Sequence, residues 1–346
     1  MIRMAIIGVG WAGTRQIQAI RELGRKVDAV CIADNDAAFL ASKAAELGIS
    51  RTSMDYDAVL SDPNVDAVSI CTPHALHCEM AIKAAKAGKH ILCEKPLALT
   101  VEDGIRMIEA AEQNGVTLYV AENCTYQPIA VFLREIVQSG RYIGELTCAV
   151  VVNGFRAPTF GYEGRRAWLT IPRLGGTGTW MLHGVHSMAQ LRYILGEVES
   201  IYMCEHHASS FQPKDIEGTM CGLLVMRSGI CALIVQTSET RLPQNLGGYI
   251  IHGDQGSIRA WKDGCEIFSN ELDPKDEPLR INYPPQSLSD YALEIEAFVD
   301  HVAGVQHGPT DGRSELRSLA IVQAGYESAA TGKPVNLKER FGAEWM

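Results

Sequence analysis

Apolar positions in the first third of the chain follow two alternating rhythms. Short continuous runs at 4–9, 27–33, 65–71, 90–93 and 116–120 read as strands buried on both faces. Between them lie Ala-rich stretches of helical spacing at 37–47, 75–87 and 101–113, with Gly48, Gly88 and Gly115 standing where each helix should stop. This alternation predicts a parallel sheet with helices on both faces. After residue 123 the rhythm changes. A helix at 129–138 leads into a Val- and Thr-rich run at 145–153, and a second helical stretch spans 180–195. Strand-like runs then follow one another at 199–205, 219–226, 230–237, 249–252 and 257–261, with Ser228-Gly229 as a hairpin signal. Strands without intervening helices predict a mostly antiparallel sheet. Two helical patterns, 291–302 and 313–330, close the chain.

A chain of 346 residues exceeds what one hydrophobic core usually serves. The expected division is a dinucleotide-binding domain over 1–123 and an α+β domain over 124–346, with the helix at 313–330 packing back toward the first. The fold class is thus α/β: an N-terminal parallel sheet wrapped by helices plus a C-terminal α+β domain with a large open, mostly antiparallel sheet. An open sheet needs a cover, and a second copy of the chain is the expected one.

Net charge of −10, with no dense Lys/Arg cluster, argues against a nucleic-acid partner. The ten cysteines include no C-x-x-C pair and mostly lie in apolar runs such as Val30-Cys31-Ile32, which favours a reduced chain. The N-terminal apolar run is too short for a secretory signal, and no segment looks able to span a bilayer. The expectation is a cytoplasmic protein with no membrane partner.

The first strand breaks into Gly8-Val9-Gly10-Trp11-Ala12-Gly13 and then into a helix with Ile17, Ile20 and Leu23 on one face. Strand, glycine turn and helix in that order suit a dinucleotide pyrophosphate. Gly8 permits the tight turn, Gly10 lets backbone approach the phosphates, and Gly13 lets helix pack on strand. The helix N-terminus offers free N–H groups to the anion. Trp11 and Ala12, inside the turn, join the glycines as expected cofactor contacts. Asp34 closes the second strand, where a carboxylate would accept hydrogen bonds from a ribose diol and repel a 2′-phosphate. NAD is favoured over NADP on this ground; Asp34 could also simply cap the next helix. Two further strand ends, Thr72-Pro73-His74-Ala75-Leu76-His77 and Glu94-Lys95-Pro96, should face the same crevice.

Taken together, Gly8-x-Gly10-x-x-Gly13, Thr72-Pro73-x-x-x-His77, Glu94-Lys95-Pro96, Ala121-Glu122-Asn123-x-x-Tyr126-x-Pro128, Ile143-Gly144-Glu145 and Gly175-Gly176…His186 resemble the glucose–fructose oxidoreductase/inositol dehydrogenase (Gfo/Idh/MocA) family. The resemblance implies an N-terminal Rossmann domain plus a C-terminal α/β domain with a large open sheet, often dimeric or tetrameric, and NAD(P)-dependent oxidation or reduction of sugars, cyclitols or related polyols. It implies that Lys95 is the active-site lysine, followed by a cis proline, and that His186 is the catalytic histidine. Thr72, Pro73, His77, Glu94 and Glu122 would line the cofactor. Asn123 and Tyr126 would meet the substrate.

One position departs from the family's habit. An aspartate usually stands four residues before the histidine, and here it is Leu182, followed by His183. Either His183 takes over an orienting or relaying role at the substrate, or the chemistry uses Lys95 and His186 alone. The His-x-x-His spacing has no third ligand in sequence, so no metal is expected. Arg156, Tyr162 and Trp168 lie in a Gly/Pro-rich stretch suited to substrate contacts. The leading expectation is a dehydrogenase acting on CH–OH groups. Two alternatives are redox-assisted elimination or glycosidic cleavage with retained NAD, and a non-catalytic NAD sensor.

Overall fold

The computed structural model describes residues 1–154, 164–176, 178–209, 216–240, 246–272 and 277–346. These form two compact units. One comprises Met1–Asn123, Arg173–Gly175 and Ser287–Leu316; the other comprises Cys124–Pro172, Gly176–Gln286 and Arg317–Met346.

In the first unit, β1 (Ile2–Ile7), β2 (Val27–Ala33), β3 (Thr52–Ser53), β4 (Ala67–Ile70), β5 (His90–Glu94) and β6 (Leu118–Ala121) form one parallel sheet. Their order is β3-β2-β1-β4-β5-β6, so the chain reverses direction across the sheet between β1 and β4. That is the switch point at which open α/β sheets bind ligands. The helices are α1 (Trp11–Glu22), α2 (Ala37–Leu47), α3 (Tyr56–Leu60), α4 (His77–Lys86) and α5 (Val101–Gln113). Strands β1 and β4 are buried end to end except at Ile2 and Arg3, which is why they read as continuous apolar runs.

A later helix, α9 (Asp290–Val302), also belongs to this unit. Its Ala292, Ile295, Phe298 and Val299 share a core with Met4, Ile6, Ile17 and Tyr119. The expectation of one cut at 123/124 is corrected here: 287–316 returns to the first unit, so α9 rejoins it whole, and of the expected helix 313–330 only the first turn does. Helical periodicity locates an apolar stripe but not the core that receives it.

The second unit is built on a nine-stranded sheet. Its strands are β7 (Leu146–Gly154), β8 (Val198–His206), β9 (Thr219–Met226), β10 (Cys231–Thr237), β11 (Gly248–Gly253), β12 (Gly256–Trp261), β13 (Gly264–Ser269), β14 (Leu279–Asn282) and β15 (Val335–Asn336). The order is β14-β13-β12-β11-β7-β10-β9-β8-β15. Pairing is antiparallel except between β10 and β7, which run parallel. The remaining helices in chain order are α6 (Pro128–Ser139), α7 (Pro172–Gly175), α8 (Val185–Leu195), α10 (Gly312–Thr331) and α11 (Leu337–Phe341).

Alternation sets the two sheet faces. Ala232 and Ile234 on β10 and Tyr249 and Ile251 on β11 are buried, while Leu233, Ile250, Tyr202 and Phe268 are exposed. Strands β13 and β14 carry no run that the periodicity picks out. All ten cysteines are free thiols. Among the described residues, no helix is long and apolar enough to cross a membrane.

Candidate active site

In the first unit the glycine turn is sterically specified. Gly8 has φ +89°, and a Cβ there would lie 2.5 Å from Cys71 O; a Cβ on Gly13 would lie 2.1 Å from Gly8 O. Both contacts are to backbone, which cannot give way cheaply. Gly10 instead has nothing within 4 Å, so the backbone there is open to an approaching group. Helix α1 starts at this point with no side-chain cap and no acid in its first turn, leaving its N–H groups for an anion. Trp11 is exposed at the helix start, edge-on to Tyr291 at 6.3 Å, and Ala12 is half-buried.

Asp34 is aimed by backbone: its carboxylate accepts from Val9 N at 3.3 Å and from Asp36 N at 3.2 Å. The helix-capping alternative falls to Asp36, which accepts from Phe39 N at 3.0 Å and is the N-cap of α2.

At the next strand ends, Thr72 and Pro73 are half-buried and the Lys95–Pro96 peptide is cis, as expected. His77 corrects an expectation. It is fully buried, with Nδ1 3.0 Å from Pro96 O and Nε2 3.1 Å from Thr72 O. Both ring nitrogens face backbone carbonyls, and the one that carries the proton donates there, so His77 braces the turn that carries Lys95 instead of reaching a ligand. Burial lowers its pKa.

Beneath Lys95 lies a group the sequence did not reveal. Gln16 Nε2 donates to Glu94 Oε1 at 3.2 Å and to Glu294 Oε1 at 3.0 Å, and Gln16, Glu122 and Glu294 are fully buried. Desolvation pushes Glu94 up to about 7, opposed first by Lys95 and then by Gln16. Glu294 lies well above the usual range, because of burial and then the neighbouring Glu94 and Glu122. The available signal was a polar residue interrupting an apolar helical stripe: Gln16 beside Ile17 and Ile20, and Glu294 beside Ile295 and Phe298. Glu122 therefore sits within a buried acidic cluster. Asn123 Nδ2 donates to Asp290 Oδ2 at 2.8 Å.

In the second unit, both histidines lie where a π turn, Trp180–Gly184, runs into α8. Such irregular turns often mark functional positions. Gly184 permits this one, because a Cβ there would meet the Trp180 ring at 2.4 Å. The rings of His183 and His186 are 6.0 Å apart and tilted by 51°. Both line a cavity of about 220 Å³ together with Asn153, Ser187, Gln190 and Gln236. Asn153 Nδ2 donates to Ser187 Oγ at 3.0 Å, and Ser187 Oγ donates to Gln236 Oε1 at 2.7 Å. Gln190 Nε2 donates to Cys124 O at 2.8 Å, and its Oε1 accepts from Tyr249 OH at 2.8 Å. These amides and the serine were not expected from sequence: Ser187 and Gln190 sit on α8 itself, but Asn153 comes from β7 and Gln236 from β10, and only the fold brings them together. Leu182 is buried, so no acid stands at that position. Tyr126 and Trp168 are half-buried; Arg156 and Tyr162 lie outside the described residues.

A strand–glycine–helix turn at the switch point of a parallel sheet, followed by a mixed-sheet unit, defines a two-part nucleotide-dependent enzyme. Two family models match in the same order: an oxidoreductase family with an NAD-binding Rossmann fold over residues 2–122, and the C-terminal α/β domain of that family over residues 141–337. The chain belongs to this Gfo/Idh/MocA oxidoreductase family and is an NAD-binding oxidoreductase.

Among curated relatives, 1,5-anhydro-D-fructose reductase from Ensifer adhaerens is 29% identical over 324 residues, 93% of this chain and 94% of that protein. A 2,7-anhydro-N-acetylneuraminate hydratase from Escherichia coli is 29% identical over 265 residues, 75% of this chain and 67% of that one. A levoglucosan dehydrogenase solved with NADH and levoglucosan has the same fold, with a TM-score of 0.87 at 20% identity, covering 97% of this chain and 99% of that one.

The residues present fit the dinucleotide. Open backbone at Gly10, uncapped N–H groups of α1 and the pinned Asp34 carboxylate form an anion cradle beside a diol acceptor.

Proposed function

We propose that the chain interconverts a secondary alcohol and a ketone on a sugar, cyclitol or related polyol or glycoside, using NAD. The observation that carries this reading is the cavity around His183 and His186, lined also by four side-chain amides, the Ser187 hydroxyl and the Cys124 thiol, a polar lining suited to substrate hydroxyl groups. The Ensifer adhaerens reductase, whose named substrate is a sugar ketone, supports it.

Bound NAD supplies the hydride acceptor. The Lys95 ammonium stabilises the developing alkoxide, or in the reverse direction polarises the carbonyl oxygen. His186 takes or returns the hydroxyl proton, and His183 holds a substrate hydroxyl or relays that proton. Thr72, Pro73 and Glu94 line the cofactor, while Tyr126 and Trp168 add substrate contacts. Asn123 contributes through Asp290.

The exposed sheet face bearing Tyr202, Leu233, Ile250 and Phe268 is covered by a second copy, giving a homodimer or homotetramer. Ten free thiols support a cytoplasmic location.

The test mixes purified protein with NAD and a panel of polyols, glycosides and sugar acids, following NADH absorbance and product together. NADH matching product supports the dehydrogenase. Product without NADH favours the second reading, redox-assisted elimination, which the buried Leu182 and the hydratase relative keep in view. His186→Ala should abolish turnover and spare NADH binding; retained turnover removes the role given to His186.

A further inference from the structure

The helix that carries both histidines begins against a buried acid the reaction does not use. Glu217 is 3% exposed. Its backbone carbonyl accepts from Thr179 N at 3.2 Å, and its Oε1 accepts from Trp180 N at 2.7 Å. Tyr326 OH donates to the same Oε1 at 2.9 Å while accepting from Met181 N at 2.9 Å. Three consecutive N–H groups at the start of the π turn are therefore held by one glutamate and the tyrosine bound to it. They are the donors a helix start leaves unmatched.

The neighbourhood is tight. A Cβ on Gly178 would fall 2.1 Å from Glu217 O, and Ser238 Oγ donates to Thr179 Oγ1 at 2.6 Å. Trp180, the first residue of the turn, is fully buried and anchored by Nε1 on Val322 O at 3.0 Å. Nothing in this arrangement is left to slide.

We propose that Glu217 is the positioning residue for the two histidines: through Trp180 N and Tyr326 it fixes the π turn and so sets where His183 and His186 stand in the cavity. The proposal rests on the reading that these histidines serve the reaction. Glu217 does not replace the acid absent at Leu182, because its Oε1 is taken by Trp180 N and Tyr326 OH at the helix start. It acts through the turn.

The ionised form suits this task, since a carboxylate accepts more strongly than a carboxylic acid and is favoured at a helix N-terminus. Burial opposes it and lifts Glu217 to about 7, with Trp180 N and Tyr326 pulling down and Glu205 pushing up. The other charged or titratable groups nearby are Glu239, packed against Gly218 and bound to Thr219 Oγ1, and His206, 3.2 Å from Glu239. Neither carries a positive charge onto Glu217 itself. Its proton is thus set to leave near neutrality, and the anchoring should tighten as it does.

The experiment compares full-length wild type with Glu217→Gln, Glu217→Ala and Tyr326→Phe. It measures kcat and KM from pH 5.5 to 9 and the imidazole NMR resonances of His183 and His186. Glu217→Ala should lower kcat/KM by about ten- to a hundredfold, the scale of a misplaced catalytic group, with NADH affinity unchanged. Tyr326→Phe should shift the same resonances less. Glu217→Gln keeps an acceptor and should restore most activity, but without the component of the wild-type profile that changes near pH 7. If Tyr326→Phe leaves both imidazole resonances in place and Glu217→Gln keeps the wild-type pH profile, the proposal is overturned. This holds even if Glu217→Ala does not fold. Should His186→Ala stay active, the role of His186 fails, and the resonances still decide Glu217.

Discussion

At the glycine turn, Gly8, Asp34 and Cys71 stand at the carboxyl ends of β1, β2 and β4, and each is placed by the strand it ends. The histidine cavity is assembled differently. His183 and His186 share one helix, but Asn153 comes from β7, Gln236 from β10, Tyr249 from β11, and the helix start is gripped by Glu217 and by Tyr326 of α10. The first region is specified by local steric demands: a Cβ on Gly8 or Gly13 would strike backbone. The second is specified by hydrogen bonds between distant segments. Backbone cradles tolerate no variation, whereas a polar cavity changes character with one side chain.

The comparison can be broken most directly at Lys95. Lys95→Ala should cost about a thousandfold in kcat/KM, the upper scale for removing one electrostatic stabiliser, while NADH binding stays nearly intact. Equal losses in both would move Lys95 from chemistry into the cradle.

A smaller effect is expected from pH. The folded chain raises Glu217 from the ordinary glutamate value near 4.5 to about 7. The fold therefore favours the protonated form. This contribution is fully present below about pH 4.5 and is lost as pH rises through about 7. The difference corresponds to about 3 kcal/mol by the pKa–stability relation. Denaturant unfolding at pH 5.5 and 8.5 should show wild type losing more stability than Glu217→Gln over that range; parallel losses would contradict it. Glu94, also lifted to about 7, acts in the same direction in both proteins and cancels.

Gly13→Ala tests the steric side of the comparison. It should lower stability by about 2 kcal/mol, as overpacking does, and weaken NADH binding without touching the histidine resonances. A binding curve like that of wild type would mean the turn can relax. Asp34→Ala carries the smallest expected change. NAD affinity should fall about tenfold, near 1.4 kcal/mol, and NADP affinity less, as measured by fluorescence titration. An unchanged NAD-to-NADP ratio would remove Asp34 from cofactor choice.

Helix boundaries at 37–47 and 101–113 and the strand at 219–226 coincide with α2, α5 and β9, because caps and uniform apolar runs mark them in the chain itself. Strands β13 and β14 were not visible: Gly264–Ser269 has no clean apolar alternation, and Leu279–Asn282, with three of its four residues exposed, is too short to register. His77 was legible as a motif residue but not as a brace, since its carbonyl partners appear only when Pro96 and Thr72 are brought to its two ring nitrogens. Gln16 and Glu294 were hidden for the same reason. A polar residue on a helix points to solvent in most contexts, and only the core that α1 and α9 share buries these two.

By itself the sequence determined the parallel sheet, the glycine turn, Asp34 beside it and the Lys95-Pro96 step, because these depend on contacts between close neighbours in the chain or on φ values few residues adopt. Only the tertiary structure decided that α9 rejoins the first unit, that three glutamates and Gln16 form one buried cluster, and that Glu217 holds the start of the histidine helix. Those outcomes rest on pairing buried polar groups across long stretches of chain. No local pattern records which distant partner will satisfy a desolvated carboxylate, yet the cost of leaving one unsatisfied is what forces the choice.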